Sequence, residues 1–177
     1  MKTLERIVLI LSLMTLPFVM AFCTTLAERR PQPGGSPPVI TASSASKEVS
    51  HGDAWKIYLE ANDPDGDMWK LTYTFSGTGV KGGHRVNYVP IREGYRARLL
   101  GYLSVSFSAP KTGLAEWASG TLTLHIRDRG GNSSDKGAFP VALTRGVKQA
   151  APSPPFDIGG LRELGKIWVQ LYEPRGD

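Results

Sequence analysis

Three aspartates at alternate positions, Asp63, Asp65 and Asp67, stand in the stretch EANDPDGDMWKLTYTF, directly before an alternating apolar run. Carboxylates spaced by proline and glycine can fold around a hard cation, and calcium, which takes about six to eight oxygen ligands, is the cofactor such a set would hold. The helical calcium loop does not fit. Counted from Asp63, Met68 stands where the sharp turn needs glycine and Thr74 where a bidentate glutamate belongs. The same residues also spell a plain turn. Asp63-Pro64-Asp65-Gly66 has aspartate first, proline second and glycine fourth, a type I pattern in which the aspartate side chain bonds backbone N–H groups and needs no metal.

Other chemistries find less support. His51, His84 and His125 are scattered, with no zinc spacing. No Gly-x-Ser-x-Gly elbow occurs, and nothing pairs Glu60, Glu93 or Glu116 across a cleft as glycoside cleavage requires. A catalyst is therefore not expected, and an uncharacterised hydrolase is the third reading. The middle of the chain interleaves Lys81, His84, Arg85, Arg92, Arg96 and Arg98 with Tyr88 and Tyr95. Arginine forks suit acidic sugars or phosphates, which makes Arg92, Arg96 and Arg98 candidate partner contacts. Arginine on an outward strand face is equally a solvated face that discourages edge pairing.

The elements that would position these groups are strands. Trp55, Ile57, Leu59 and Ala61 alternate with polar residues, as do Trp69, Leu71, Tyr73 and Phe75, expected to face one way. Leu103, Val105 and Phe107, then Leu122, Leu124 and Ile126, then Phe139, Val141 and Leu143 repeat the pattern. Val39–Ser43 and weaker runs over 86–91 and 95–100 bring the total to about seven or eight. With no helix signal, this predicts an all-β, antiparallel sandwich. In such a sandwich the connection at 63–67 and the late one at 128–137 lie at the same end. Asp63, Asp65, Asp67, Asp128 and Asn132 could then converge on one ion.

The ends differ in character. Lys2 and Arg6 precede an uncharged run from Ile7 to Ala27, a secretory signal pattern with cleavage expected after Ala27. The run is also about long enough, at roughly 20 residues, to span a bilayer. Cys23, the one cysteine, stands where a lipoprotein carries its lipid, although Phe22 before it is a poor match. Membrane contact is expected only through 1–27 or such a lipid. Residues 28–38 and 148–155 read as Pro-rich linkers around a folded unit over 39–147. The tail, 156–177, is apolar, and KIWVQLYE reads as a strand. It packs back as an extra strand, or offers Trp168 and Tyr172 to a partner's sheet edge. With no cysteine left to pair in the folded unit, stability falls to the core. The net charge of +5 favours anionic glycans, lipid headgroups or acidic proteins over nucleic acid in an exported chain.

The segments PPVITASSASKEVSHGDAWKIYLEANDPDGDMWKLTYTFSG, GTLTLHIRDRGGNSS and FPVAL together resemble the immunoglobulin-like and cadherin-like modules of bacterial exported and surface proteins. The resemblance implies an immunoglobulin-like sandwich over most of 39–147, with 77–118 departing from the family's shorter pattern. It also implies calcium binding in the cadherin-like manner, with Asp128 matching the aspartate of the late turn. The expected function is a non-catalytic binding or scaffolding module of the cell envelope or surface that contacts protein or anionic glycan. The alternative is a structural subunit of a larger envelope assembly, docked through its tail.

Overall fold

The computed structural model describes residues 35–77, 85–108 and 118–171, all within one compact unit, Pro33–Asp177. Alternating sequence produces alternating burial, and nine strands result. They are β1 (Val39–Ala45), β2 (Glu48–Ser50), β3 (Trp55–Asn62), β4 (Met68–Gly77), β5 (Asn87–Pro90), β6 (Arg98–Ser108), β7 (Ser119–Asp128), β8 (Gly137–Thr144) and β9 (Glu163–Gln170). Among the described residues a single 3-10 turn, Glu93–Tyr95, interrupts them. Tyr95, expected at the start of a strand, lies in that turn, and β6 begins only at Arg98 and continues without a break through Ser108.

The strands form two sheets, one ordered β1-β3-β6-β9 and the other β2-β8-β7-β4-β5. Their inner faces share one core. Trp55, Ile57 and Leu59 of β3, Leu103 and Val105 of β6 and Ile167 of β9 are wholly buried in it with Leu122, Leu124 and Ile126 of β7 and Met68 of β4. Each large aliphatic side chain so buried contributes about 1.5–3 kcal/mol against solvent exposure. The Trp55 indole N–H is satisfied by the Ser46 carbonyl at 2.8 Å, and its ring stacks on Phe107 with 6.3 Å between centroids.

Two features depart from the expected antiparallel sandwich, because both sheets are mixed. β2 runs parallel to β8, and β9 runs parallel to β6. Parallel neighbours cannot be joined by a tight hairpin and need a crossover. Residues 145–162, including the proline-rich stretch expected to be a loose linker, connect the second sheet to β9 at the far edge of the first. The stretch is fastened on its way. The Gln149 amide bonds Lys56 N at 3.1 Å and Ala54 O at 2.8 Å, and Ser153 N donates to Ser44 Oγ at 3.2 Å. Phe156 is buried against Tyr58, itself 5.9 Å from Tyr102, so the crossover covers the outer face of the first sheet.

β4 carries a further difference. Its pairing with β7 slips between Met68, opposite Asp128, and Lys70, opposite Arg127. The extra residue is Trp69. The slip resets the alternation, so Met68 and Leu71 face the core and Trp69 is turned out, 46% exposed, where period two over 69–75 had placed it inside.

Candidate functional site

The Asp-Pro-Asp-Gly turn forms between β3 and β4. Gly66 N donates to Asp63 O at 3.2 Å, and Gly66 adopts φ +69°, a left-handed conformation that glycine takes without a Cβ penalty. The Asp63 side chain organises the turn from within. Its two carboxylate oxygens accept Asp65 N and Asp67 N, each at 3.1 Å, while its own N–H donates to Ala97 O at 2.9 Å. Only 3% of Asp63 is exposed. A carboxylate that deep is tolerable because backbone donors satisfy it.

The β7–β8 connection repeats this device at the same end of the fold. Asp128, 1% exposed, accepts Asn132 N at 2.7 Å and the Asn132 side-chain amide at 2.9 Å. The two turns are stitched together where Arg129 N donates to Asp67 O at 3.2 Å. A third segment closes over them, for the Asn132 amide also reaches Gly35 O at 3.0 Å and Ser36 N donates to Asp65 Oδ2. Asp63, Asp65, Asp67, Asp128 and Asn132 therefore gather at one corner, as the sandwich topology required.

The chemistry of the corner is one of crowded negative charge. Burial, a side-chain hydrogen bond from Asp63 and the charges of Asp128, Asp63 and Asp65 raise the Asp67 pKa above the usual carboxylate value. Asp67 Oδ1 is enclosed without a hydrogen-bond partner. Among the described residues no three His, Cys, Asp or Glu side chains are set to hold a metal ion together. The carboxylates of Asp63, Asp65 and Asp128 accept backbone N–H groups, and that of Asp67 does not.

The basic candidates are not assembled into a patch. Arg96 pairs with Glu93 at 3.2 Å and Arg98 with Glu60 at 2.9 Å, which neutralises two of the three arginines. Arg92 is exposed before the 3-10 turn. Glu60 and Glu93, the described members of the carboxylate trio, are thereby engaged in separate ion pairs. In the tail, Ile167, Val169 and Leu171 are buried and Trp168 between them is 71% exposed, opposite Ser106 of β6. Cys23, Tyr172, Lys81, His84, Glu116 and the signal segment lie outside the described residues.

No family model, curated protein or solved structure matches this chain. Its own geometry must carry the functional reading.

Sequence reasoning missed one cluster. Trp69, put outside by the bulge, and Tyr88 of β5 both contact the Lys70 ammonium, which lies 4.0 Å from one ring centroid and 5.2 Å from the other. Nothing in the spacing of residues 69–75 announces a bulge. The available signal was the adjacency of Met68 and Trp69, two large apolar residues that cannot both follow one alternating phase.

Proposed function

We propose that this chain is an exported, non-catalytic module with an immunoglobulin-like arrangement of strands, which binds protein or glycan at the cell envelope or surface. Support for the arrangement comes from the strand orders. If β1 to β4 are read as A, A′, B and C, then β6, β7 and β8 fall at E, F and G, and the sheets become A-B-E and A′-G-F-C with β5 beyond C. β9 occupies the place beside E. The export reading rests on residues 1–27.

One observation carries the binding reading: large aromatic side chains project outward from strands whose neighbouring residues are anchored in the core. Trp168 stands between buried Ile167 and Val169, and Trp69 follows buried Met68 and comes two residues before buried Leu71. Exposed indoles held on a rigid sheet lose little conformational freedom when covered, which suits recognition. The test is capture from solubilised envelope and on immobilised glycans by the full chain, set against Trp168→Ala and Trp69→Ala. Loss of a stoichiometric ligand in either variant, with melting unchanged, supports the module. Undiminished capture by both, or none by any form, defeats it. Deleting 156–177 is unsuitable, because it removes β9 and Phe156 from the fold.

Calcium is the second reading, favoured by Asp67, whose crowded carboxylate would gain from a nearby cation. Millimolar calcium against EDTA is expected to raise the melting temperature by mass action if the ion binds. A rise abolished by Asp65→Ala combined with Asp128→Ala places it at the shared corner. Identical melting in both solutions leaves the five residues a purely structural clasp.

A further inference from the structure

The outer face of the second sheet holds an unclaimed arrangement of rings and charges. Trp69 is 46% and Tyr88 64% exposed, and the Lys70 ammonium between them fixes both on the same side. The strand register sets Arg127 of β7 opposite Lys70, and the next outward pair sets His125 opposite Thr72, which is itself opposite Tyr88. Arg127 lies two residues from His125 on the same face of β7, and exposed Lys136 directly precedes Gly137, the partner of Leu124.

These cations are not neutralised where they stand. Arg96, Arg98 and Lys166 each have a glutamate within ion-pair distance. Among the described residues Lys70, Arg127 and Lys136 have none. An unpaired cationic surface attracts anions, and it does so more strongly where apolar rings exclude water beside it. On the outer face of the first sheet, Lys56 also lies over a ring, Tyr102 at 4.9 Å, but there Phe156 of the crossover packs on the neighbouring Tyr58 and Trp168 stands apart on β9.

We propose that Trp69, Lys70, Tyr88 and Arg127 form a binding surface for an acidic polysaccharide, a chain of pyranose rings bearing carboxylates. This inference rests on the module reading and names its ligand class. The C–H face of a pyranose packs on an indole or phenol ring, as apolar surfaces do on aromatic faces. Lys70 and Arg127 meet the carboxylates, with arginine able to grip one in a bidentate fork. A linear polymer suits the site because rings and cations follow neighbouring strands across an open surface.

Sodium polygalacturonate in EDTA is the probe, with its methyl-esterified form as the uncharged sugar control and dextran sulfate as a polyanion of different sugar. Titration calorimetry of the full chain is expected to show binding to polygalacturonate that weakens at least about tenfold on esterification. A similar loss is expected for Lys70→Gln with Arg127→Gln, and separately for Trp69→Ala with Tyr88→Ala. All four side chains point outward, so melting temperatures should hold. Lys148→Gln with Arg162→Gln, both exposed in the crossover, serves as a charge-matched control and should bind as the parent does. Two results overturn the proposal: dextran sulfate binding as tightly while the aromatic variant loses nothing, which marks a plain polyelectrolyte surface, or no binding to polygalacturonate. In the second case, capture of an envelope protein by the same chain would leave the module reading intact, and failure of both would remove it.

Discussion

At the residue scale, Asp63 and Asp67 are four positions apart and act oppositely. Asp63 stabilises the β3–β4 turn because two backbone N–H groups would otherwise be buried unpaired. Asp63→Ala is expected to cost about 1–3 kcal/mol in chemical denaturation, and the melting of that variant checks it. Asp67 bears the repulsion. Its folded pKa lies above the unfolded one, so the folded state binds the proton more tightly, and stability falls as pH rises through the window from the unfolded value to the raised one. Asp67→Asn removes the penalty, and should raise the melting temperature at neutral pH while leaving melting in strong acid nearly unchanged. Equal shifts at both pH values would assign the effect to packing and not to charge.

His125 carries the reverse sign. Burial and the nearby Lys136 and Arg127 lower its pKa below 6.5, so the unfolded chain takes up the proton first as pH falls. Stability contributed by neutral His125 is present above 6.5 and is lost as pH drops through the lowered value. His125→Gln should flatten that part of the stability profile. Its alternation with Leu124 and Ile126 made its outward direction legible. Arg127, two residues along the same face, was legible by the same alternation, whereas Lys136 was not, because it arrives from beyond the β7–β8 turn.

At the element scale, strands with clean alternation were readable and those depending on distant partners were not. β3 follows the period-two pattern through its whole length and β7 from Leu122 onward, since each lies between two neighbours with one face in the core. β2 has only three residues and exists because β8 supplies its ladder. β9 was visible as a strand, but its parallel attachment depended on a crossover that composition alone made look like a linker. Gly165 of β9 shows how tight that attachment is. A Cβ there would stand 2.4 Å from Val89 Cγ1 of β5, so the second sheet presses directly on the backbone of the first sheet's last strand. Gly165→Ala is expected to cost about 1–3 kcal/mol through overpacking, and Ile167→Ala about 2–5 kcal/mol through the cavity it leaves. Denaturant melts of the two variants check both values. A neutral Gly165→Ala would mean that β5 moves aside freely.

At the scale of the whole molecule, the aspartate corner was the most legible part of the candidate site, because the order of strands alone brings the two turns together. The aromatic and basic surface was the least legible, because it depends on a bulge and on the side-by-side placement of three strands. The crossover makes the two outer faces of the sandwich unequal. Phe156→Ala should cost about 3 kcal/mol and expose Tyr58 and Tyr102, without altering ligand binding on the opposite sheet. A loss of polygalacturonate binding in that variant would show that the two faces are mechanically linked.

The parallel seat of β9 also dictates an order of events in biogenesis. Leu103 and Val105 have β3 on one side, but the strand on their other side is β9, with Gly165 and Ile167 opposite them, which the ribosome delivers long after them. A chain emerging from its amino terminus cannot close this core until its last strand is free, and pairing across so wide a sequence separation is intrinsically slow. The core between the two sheets is therefore completed from the last of the described strands, and no earlier one can stand in for it.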